Sequence, residues 1–350
     1  MKGKKYLVTG GCGFIGSAFI RNILEEDNII CNIDKLSYSS SIESIKLDDQ
    51  KNYNFRKVDL FDADTTELTI KEFEPDFIIH FAAETHVDRS IDGPLEFINS
   101  NIIGTFNLLN SSLKYWQQLE KKKKSEFRFI HVSTDEVYGA LDYNDKPFDE
   151  NSSYLPNSPY SASKASSDHL VRSWNKTYSF PSIITNTCNN YGPWQFPEKL
   201  IPLTINKCLN KKKIPIYGDG EQIRDWIYVD DHIEAIKKIV QKGVIGENYT
   251  IGSHCELTNF EVVTTICDLL DELKPNTNNI YRNLIEYVED RPGHDKRYAI
   301  NSDKVKSLGW NPIFTWQNGI KKTIKWYLDN SDFLESKNRQ VYSGERLGKL

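Results

Sequence analysis

Apolar residues in this chain gather into short unbroken runs separated by longer stretches of helical spacing. Residues 6–8, 29–33, 53–58, 76–81, 127–132 and 181–185 are such runs, rich in Ile, Val, Phe and Tyr. Their length and near-continuous hydrophobicity predict parallel strands covered on both faces. Residues 17–26, 98–119 and 159–176 carry apolar positions at the intervals of amphipathic helices. Strand and helix in alternation predict an α/β fold around a doubly wound, mainly parallel sheet. Beyond Pro193 the pattern turns loop-rich, which predicts a smaller second region. Residues 230–243, 260–273, 302–308 and 319–327 read as helices, and 248–252 as a strand returning to the first sheet. The polar stretch 140–157 reads as an ordered loop or lid. Neither an internal repeat nor a low-complexity segment is present.

Chemistry collects where the strands end. The first strand breaks into Gly10-Gly11-Cys12-Gly13-Phe14-Ile15-Gly16 before a helix, the GxGxxG spacing of a turn that brings backbone and helix N-terminus close to a pyrophosphate. The second ends at Asp34, about twenty residues on, where a carboxylate accepts hydrogen bonds from a ribose, favouring NAD over NADP. Lys35 beside it leaves room for a phosphate. Asp59 closes the third strand and Ala82-Ala83-Glu84 the fourth, the small residues there allowing a ligand to lie against the backbone. The fifth delivers Ser133-Thr134-Asp135-Glu136. Adjacent acids raise each other's pKa, so outside a solvated turn such a pair must be matched by cations, protonated or catalytic. Neighbours on a strand face opposite ways, and both acids reach one ligand only if the chain leaves strand geometry by Asp135. Ser158-Pro159 is a helix start. The helix behind it carries Tyr160 and Lys164 one turn apart, a spacing that lets an ammonium favour a phenolate base.

Composition narrows the class. The 350 residues are 39% hydrophobic and 12% aromatic, enough for a substantial core. A net charge of −5 argues against general nucleic-acid affinity, and Lys121-Lys122-Lys123-Lys124 reads as a solvated connection between helix and strand. Cys12, Cys31, Cys188, Cys208, Cys255 and Cys267 show neither CxxC pairs nor histidine partners at ligand spacing, so no metal site or disulfide framework is expected. The basic start reaches glycines after a few apolar residues, without a signal-peptide core, and no run has membrane-spanning length. A reducing cytoplasm and no membrane partner are the expectation.

Taken together, residues 9–16, 34–38, 82–90, 133–139, 158–169, 189–202, 217–229 and 290–298 resemble the extended short-chain dehydrogenases/reductases, and within them the dTDP-glucose 4,6-dehydratases. The resemblance covers nearly the whole chain. It implies a Rossmann-type domain at 1–188 with a returning segment at about 225–254, and a smaller nucleotide-sugar-binding domain at 189–224 and 255–350. It also implies a redox-neutral hydro-lyase: Tyr160 as base with Lys164 as its partner at C4, Thr134 bonded to the C4 oxygen, Glu136 taking the C5 proton and Asp135 protonating the leaving C6 hydroxyl.

On the same basis NAD is held by Gly10, Gly13, Phe14, Ile15, Gly16, Asp34, Asp59, Leu60 and Ala82, with Lys35, Ala83, Tyr160 and Lys164 at its edge. Asn190, Glu198, Lys199, Leu200, Pro215, Tyr217, Arg224, Asn259, Arg291 and His294 fall to the dTDP-glucose side, and His86 and Asp88 lie in a block that would line the sugar. Lys199, Arg224 and Arg291 agree with the charge of a nucleotide diphosphate. Departures from the family pattern are Ser39 or Ser40 in place of Gly, Cys188 in place of Ser, and Trp194 in place of Tyr. Rival activities are a nucleotide-sugar 4-epimerase, which needs no acid pair after Thr134, and a dehydratase for UDP- or GDP-linked sugar. A homodimer through the helices at 98–119 and 159–176 follows by analogy. The 342–346 segment resembles the family's tail without indicating a role.

Overall fold

The protein is described by a computed structural model over residues 2–45, 51–276 and 280–340; the 342–346 segment lies outside the described residues. Among them twelve strands form three sheets. They are β1 (Lys5–Thr9), β2 (Ile29–Asp34), β3 (Tyr53–Lys57), β4 (Phe77–His80), β5 (Arg128–Thr134), β6 (Ser182–Thr187), β7 (Asn189–Tyr191), β8 (Ile214–Tyr217), β9 (Ile223–Tyr228), β10 (Asn248–Ile251), β11 (Glu256–Thr258) and β12 (Ile285–Val288).

The largest sheet runs β10-β6-β5-β4-β1-β2-β3, with every pair parallel. Strand order reverses at β1, so the connections after β1 and β4 leave to opposite faces and open a crevice at the carboxyl edge. Residue alternation shows why these strands are hydrophobic throughout. Tyr6, Val8, Phe77, Ile79, Ile130 and Val132 join one core cluster with Phe19 and Ile236. Leu7, Ile78 and Phe129 point the other way, into a second cluster with Ile70, Leu108, Leu109 and Val171. Helices cover both faces of the inner strands, while edge strand β3 keeps Asn54 and Lys57 exposed.

A third core lies in the second region, where β11-β9-β7 and β12-β8 pack with helices Leu200–Leu209, Asn259–Leu273 and Trp316–Asp329 through Trp226, Tyr228, Ile205, Ile266 and Ile324. Sequence pattern predicts mostly loop here. The strands are three to six residues long and carry polar residues or, in β8, Pro215 within them, so they lack the continuous apolar runs that mark the large sheet.

Other boundaries differ for local reasons. The first helix starts at Phe14 rather than residue 17, because extended Gly13 turns straight into it. The helix expected over 98–119 begins at Pro94, takes π pitch across Ile98–Ile103 and resumes as Gly104–Gln118. The four lysines open a short solvated helix, Lys121–Glu126, in place of a bare connection. Among the described residues, no helix is long and apolar enough to cross a membrane, and no group of three or more His, Cys, Asp or Glu is placed to hold a metal.

Candidate active site

One cleft follows the carboxyl edge of the large sheet. Its glycine turn is fixed by sterics. Gly10 has φ +68°, and a Cβ there would stand 2.6 Å from the backbone of Ala82, so β1 and the exit of β4 meet as bare backbone, as the turn motif requires. Gly13, Phe14, Ile15 and Gly16 line the cleft at the helix N-terminus, with Lys35, Asp59, Leu60, Ala82 and Ala83 around them. Asp34 is buried at the end of β2. Its carboxylate accepts from Cys12 N at 3.0 Å, Leu36 N at 2.7 Å and Ser40 Oγ at 3.1 Å. Burial raises the Asp34 pKa against these bonds. The Lys35 ammonium pairs with Glu84 at 2.8 Å and Glu96 at 3.3 Å, which occupies the cation that would otherwise meet a ribose phosphate. A bare glycine cradle, a helix N-terminus and a ribose-reading carboxylate fit a dinucleotide without a 2′-phosphate.

The two acids sit in a turn. Thr134 is the last extended residue, and its side chain accepts from Glu136 N at 3.3 Å, capping a single 3₁₀ turn over Asp135–Tyr138. Three residues per turn separate successive side chains by about 120° instead of the 180° of a strand. Both Asp135 and Glu136 therefore line the cleft, and the geometric conflict raised by the sequence is absent. Their surroundings differ. Asp135 is held well above the usual carboxyl range by burial, then by Glu136 and Asp225. Glu136 is raised mainly by burial, but Arg291, Arg224 and Lys199 act to lower it. Opposite protonation of neighbouring acids is what acid and base roles need.

Tyr160 and Lys164 line the same cleft from helix Pro159–Tyr178, which opens with a full capping box at Ser158 and Ser161. The simple lysine–phenol pairing expected from their spacing is not what the side chains make. Lys164 Nζ donates to Val132 O at 3.0 Å, and burial lowers its pKa to about 8. Tyr160 is pushed up by burial and by Glu136, while a hydrogen bond with Thr134 acts to lower it. Spacing placed both groups correctly; β5 competes for the ammonium.

The substrate-side residues divide into two groups. Asn190, Glu198 and Lys199 line the cleft itself, Asn190 being held by His232 Nδ1 at 2.8 Å. Glu198 is gripped from across the cleft, accepting from Tyr38 OH at 2.8 Å and Arg89 Nε at 3.4 Å, and Lys199 Nζ donates to Thr85 O. A neighbouring group surrounds Asp88, which accepts from Arg291 Nη1 at 2.9 Å and Tyr217 OH at 3.4 Å; the Tyr217 and His294 rings stand 6.4 Å apart. His86 is buried beside Glu198 at 3.8 Å, its pKa lowered to about 2 by burial. Arg224 stacks on Tyr298, 4.2 Å from the ring centre. Leu200, Pro215 and Asn259 are not cleft-lining: Leu200 starts a helix against the third core, Pro215 pairs with Glu286 in the β8–β12 ladder, and Asn259 Nδ2 donates to Gln222 at 3.3 Å. Sequence reasoning did not single out Ser100, Ser133, Gln195 or Phe196, all in the cleft wall, because no spacing rule marks them.

With this geometry in place, comparison with known proteins is informative. The model of the GDP-mannose 4,6 dehydratase family matches residues 7–323. The dTDP-glucose 4,6-dehydratase of Neisseria meningitidis serogroup B is 51% identical over 351 residues, covering 99% of each chain. The crystal structure of the Bacillus anthracis dTDP-glucose 4,6-dehydratase in complex with NAD superposes with a TM-score of 0.83 at 40% identity, covering 95% of this chain and 99% of that one. The UDP-glucose 4-epimerase of Thermus thermophilus, also in complex with NAD, reaches a TM-score of 0.81 at 26% identity over 93% of this chain and 99% of its own. The fold is thus common to dehydratases and epimerases.

Proposed function

The chain belongs to the dTDP-glucose 4,6-dehydratase family, and from that premise we propose that the cleft converts dTDP-glucose to dTDP-4-keto-6-deoxyglucose. The protein is an NAD-dependent hydro-lyase. The observation that carries this assignment beyond the shared fold is the Asp135–Tyr138 turn, which brings two adjacent acids with different electrostatic surroundings into the cleft that Tyr160 lines.

NAD, when bound against the glycine turn and Asp34, accepts a hydride from C4 of the sugar and returns it to C6. Around that exchange the chain's own residues move protons. Tyr160 takes the C4 hydroxyl proton, with Thr134 hydrogen-bonded to the C4 oxygen and Lys164 supplying positive charge behind them. A ketone at C4 acidifies the C5 proton, which Glu136 removes; the cations Arg291, Arg224 and Lys199 suit it to ionised duty. Asp135 gives its proton to the C6 oxygen as the C6–O bond breaks and water leaves, and Glu136 returns a proton to C5 as the hydride reaches C6; the proton left on Tyr160 balances the one lost by Asp135 through exchange with solvent. Lys199, Arg224 and Arg291 balance the diphosphate. Residues 1–188 and about 225–254 serve the dinucleotide, and 189–224 with 255–350 the nucleotide sugar. The working form is a cytoplasmic homodimer, supported by six free thiols and by the apolar face shared by helices Gly104–Gln118 and Pro159–Tyr178.

Incubation with dTDP-glucose followed by mass spectrometry tests the assignment. The expected product is lighter by one water, with no net NADH, and forms faster than products from UDP- or GDP-glucose. A product of unchanged mass would make the protein an epimerase.

A further inference from the structure

We propose that residues 196–199 are a strap over the dinucleotide's half of the cleft, and that Tyr38 and Arg89 are the positioning residues that hold it shut, so that reduced cofactor stays bound through the cycle. This rests on the redox-neutral reading above. In that cycle the hydride taken from C4 returns to C6 of the same sugar, and a cofactor that leaves in between abandons a 4-ketone with no hydride for C6.

The sheet places the strap. In the order β4-β1-β2 the glycine turn leaves β1 between the exits of its two neighbours. Tyr38 follows β2, while Thr85 and the helix Val87–Asp92 that carries Arg89 follow β4. Residues 196–199 come from the second region, between β7 and helix Leu200–Leu209, and they touch both exits. On one side Tyr38 OH donates to Glu198 Oε1 at 2.8 Å, and the Tyr38 ring meets Phe196 edge to face at 5.5 Å. On the other, Arg89 Nε donates to Glu198 Oε2 at 3.4 Å, and Lys199 Nζ donates to Thr85 O at 2.8 Å. The Arg89 guanidinium also lies over the Tyr38 ring, 3.8 Å from its centre, so the two exits grip one carboxyl group as a pair. A segment bound on both flanks of a turn crosses above it, and this turn is where a pyrophosphate would sit.

The contacts suit a closure that can open. Phe196 and Glu198 are buried, but what ties the strap to the two exits is polar or edge to face. The net worth of one hydrogen bond corresponds to about two- to tenfold in an opening equilibrium. Three such bonds, with the Arg89–Tyr38 stack behind them, make opening rare without forbidding it, as a lid over a retained ligand requires. Phe196, Glu198 and Lys199 line the cleft itself. Tyr38 and Arg89 stand behind them, against an adjoining hollow with Lys35 and Glu96, and changing either one loosens the strap without removing cleft wall.

The test measures NAD release from full-length protein loaded with radiolabelled NAD and chased with excess unlabelled NAD. Tyr38→Phe removes only the hydroxyl that donates to Glu198 and should release NAD about tenfold faster; Arg89→Gln should do the same. In a Glu198→Ala background Tyr38→Phe should add nothing, because its action runs through Glu198. During turnover with dTDP-glucose, both single variants should also shed NADH into the ultrafiltrate, with an equal amount of sugar nucleotide lighter by two hydrogens. In that product C4 is a ketone, its hydride has left on NADH, and the hydroxyl proton has passed through Tyr160 to solvent. Release at the wild-type rate in both single variants, or an undiminished effect of Tyr38→Phe beside Glu198→Ala, overturns the proposal. Release needs no turnover, so it still decides the strap if the wild type fails to dehydrate dTDP-glucose, a failure that would remove the assigned function instead.

Discussion

Lys164 holds a charge where burial penalises it. Its ammonium is enclosed behind β5 with Val132 O as its hydrogen-bond acceptor, and its pKa lies at about 8. Asp168, one helical turn further on, acts in the opposite direction and is itself held by Ser133, Tyr154 and Asn186. The sign of the consequence follows directly. Below about 8 the lysine is charged and supports the cofactor edge of the cleft that it lines; as pH rises through that value the charge is lost and NAD affinity should fall, by roughly tenfold per unit where only the charged form binds. Fluorescence titration with NAD should show the decline in the wild type and a flat, weaker profile in Lys164→Met, and a flat wild-type profile would contradict the assignment. Tyr160 and Lys164 could be read from four-residue spacing and Asp34 from its distance to the glycines. The Tyr38–Glu198–Arg89 contact could not, because it joins residues more than a hundred positions apart in sequence.

The turn after β5 shows how an element sets the chemistry. Its exit is Gly139, at φ +88°, where a Cβ would lie 2.4 Å from the carbonyl oxygen of Leu155. Leu155 N in turn donates to Val137 O at 3.0 Å, so the turn and the end of the 140–157 loop are locked backbone to backbone. Gly139→Ala must distort one of them. Its expected cost is about 1–3 kcal/mol of stability, read as a lowered melting temperature, with dehydration falling further than NAD affinity because Asp135 and Glu136 are displaced while the glycine turn at β1 is not. Equal losses in both would show that the turn does not govern the acids separately. Elements with strong local signals were legible: six strands of the large sheet, the returning β10 and the long helices. The turn was inferable only as a necessity, from the demand that two neighbouring acids reach one sugar. Strands β7, β8, β9, β11 and β12 were not legible, since polar residues and a proline fall within them, among them Asn189, Asn190, Pro215, Arg224, Asp225, Glu256 and Glu286, and their pairing across the chain is not written in local pattern.

At the scale of the whole molecule, the helices that position Tyr160 also leave an apolar face uncovered. On it Ile103 and Phe106 remain 37% and 38% exposed and Tyr178 47%. Phe106 meets Trp174 edge to face at 5.8 Å, and Trp174 meets Tyr178 at 5.6 Å, so the side chains of two helices form one continuous patch rather than scattered singletons. Patches of this kind, self-complementary about a two-fold axis, are what dimers bury. The sequence indicated the two helices by analogy but not which face they present, because the π-pitched Ile98–Ile103 segment rotates residues out of simple helical register. Phe106 lies outside the cleft, which makes Phe106→Glu a clean probe of association. A charge in the centre of such a face should cost about 2–4 kcal/mol of binding, enough to turn a dimer into a monomer at micromolar concentration in size-exclusion chromatography with light scattering. A wild type that runs as a monomer, or a variant that keeps the mass of the wild-type assembly, would show that this face does not pair two chains. Should the monomer retain full dehydration activity, the cleft is complete within one chain, as expected from catalytic and cofactor-side residues gathered at the carboxyl edge of one sheet.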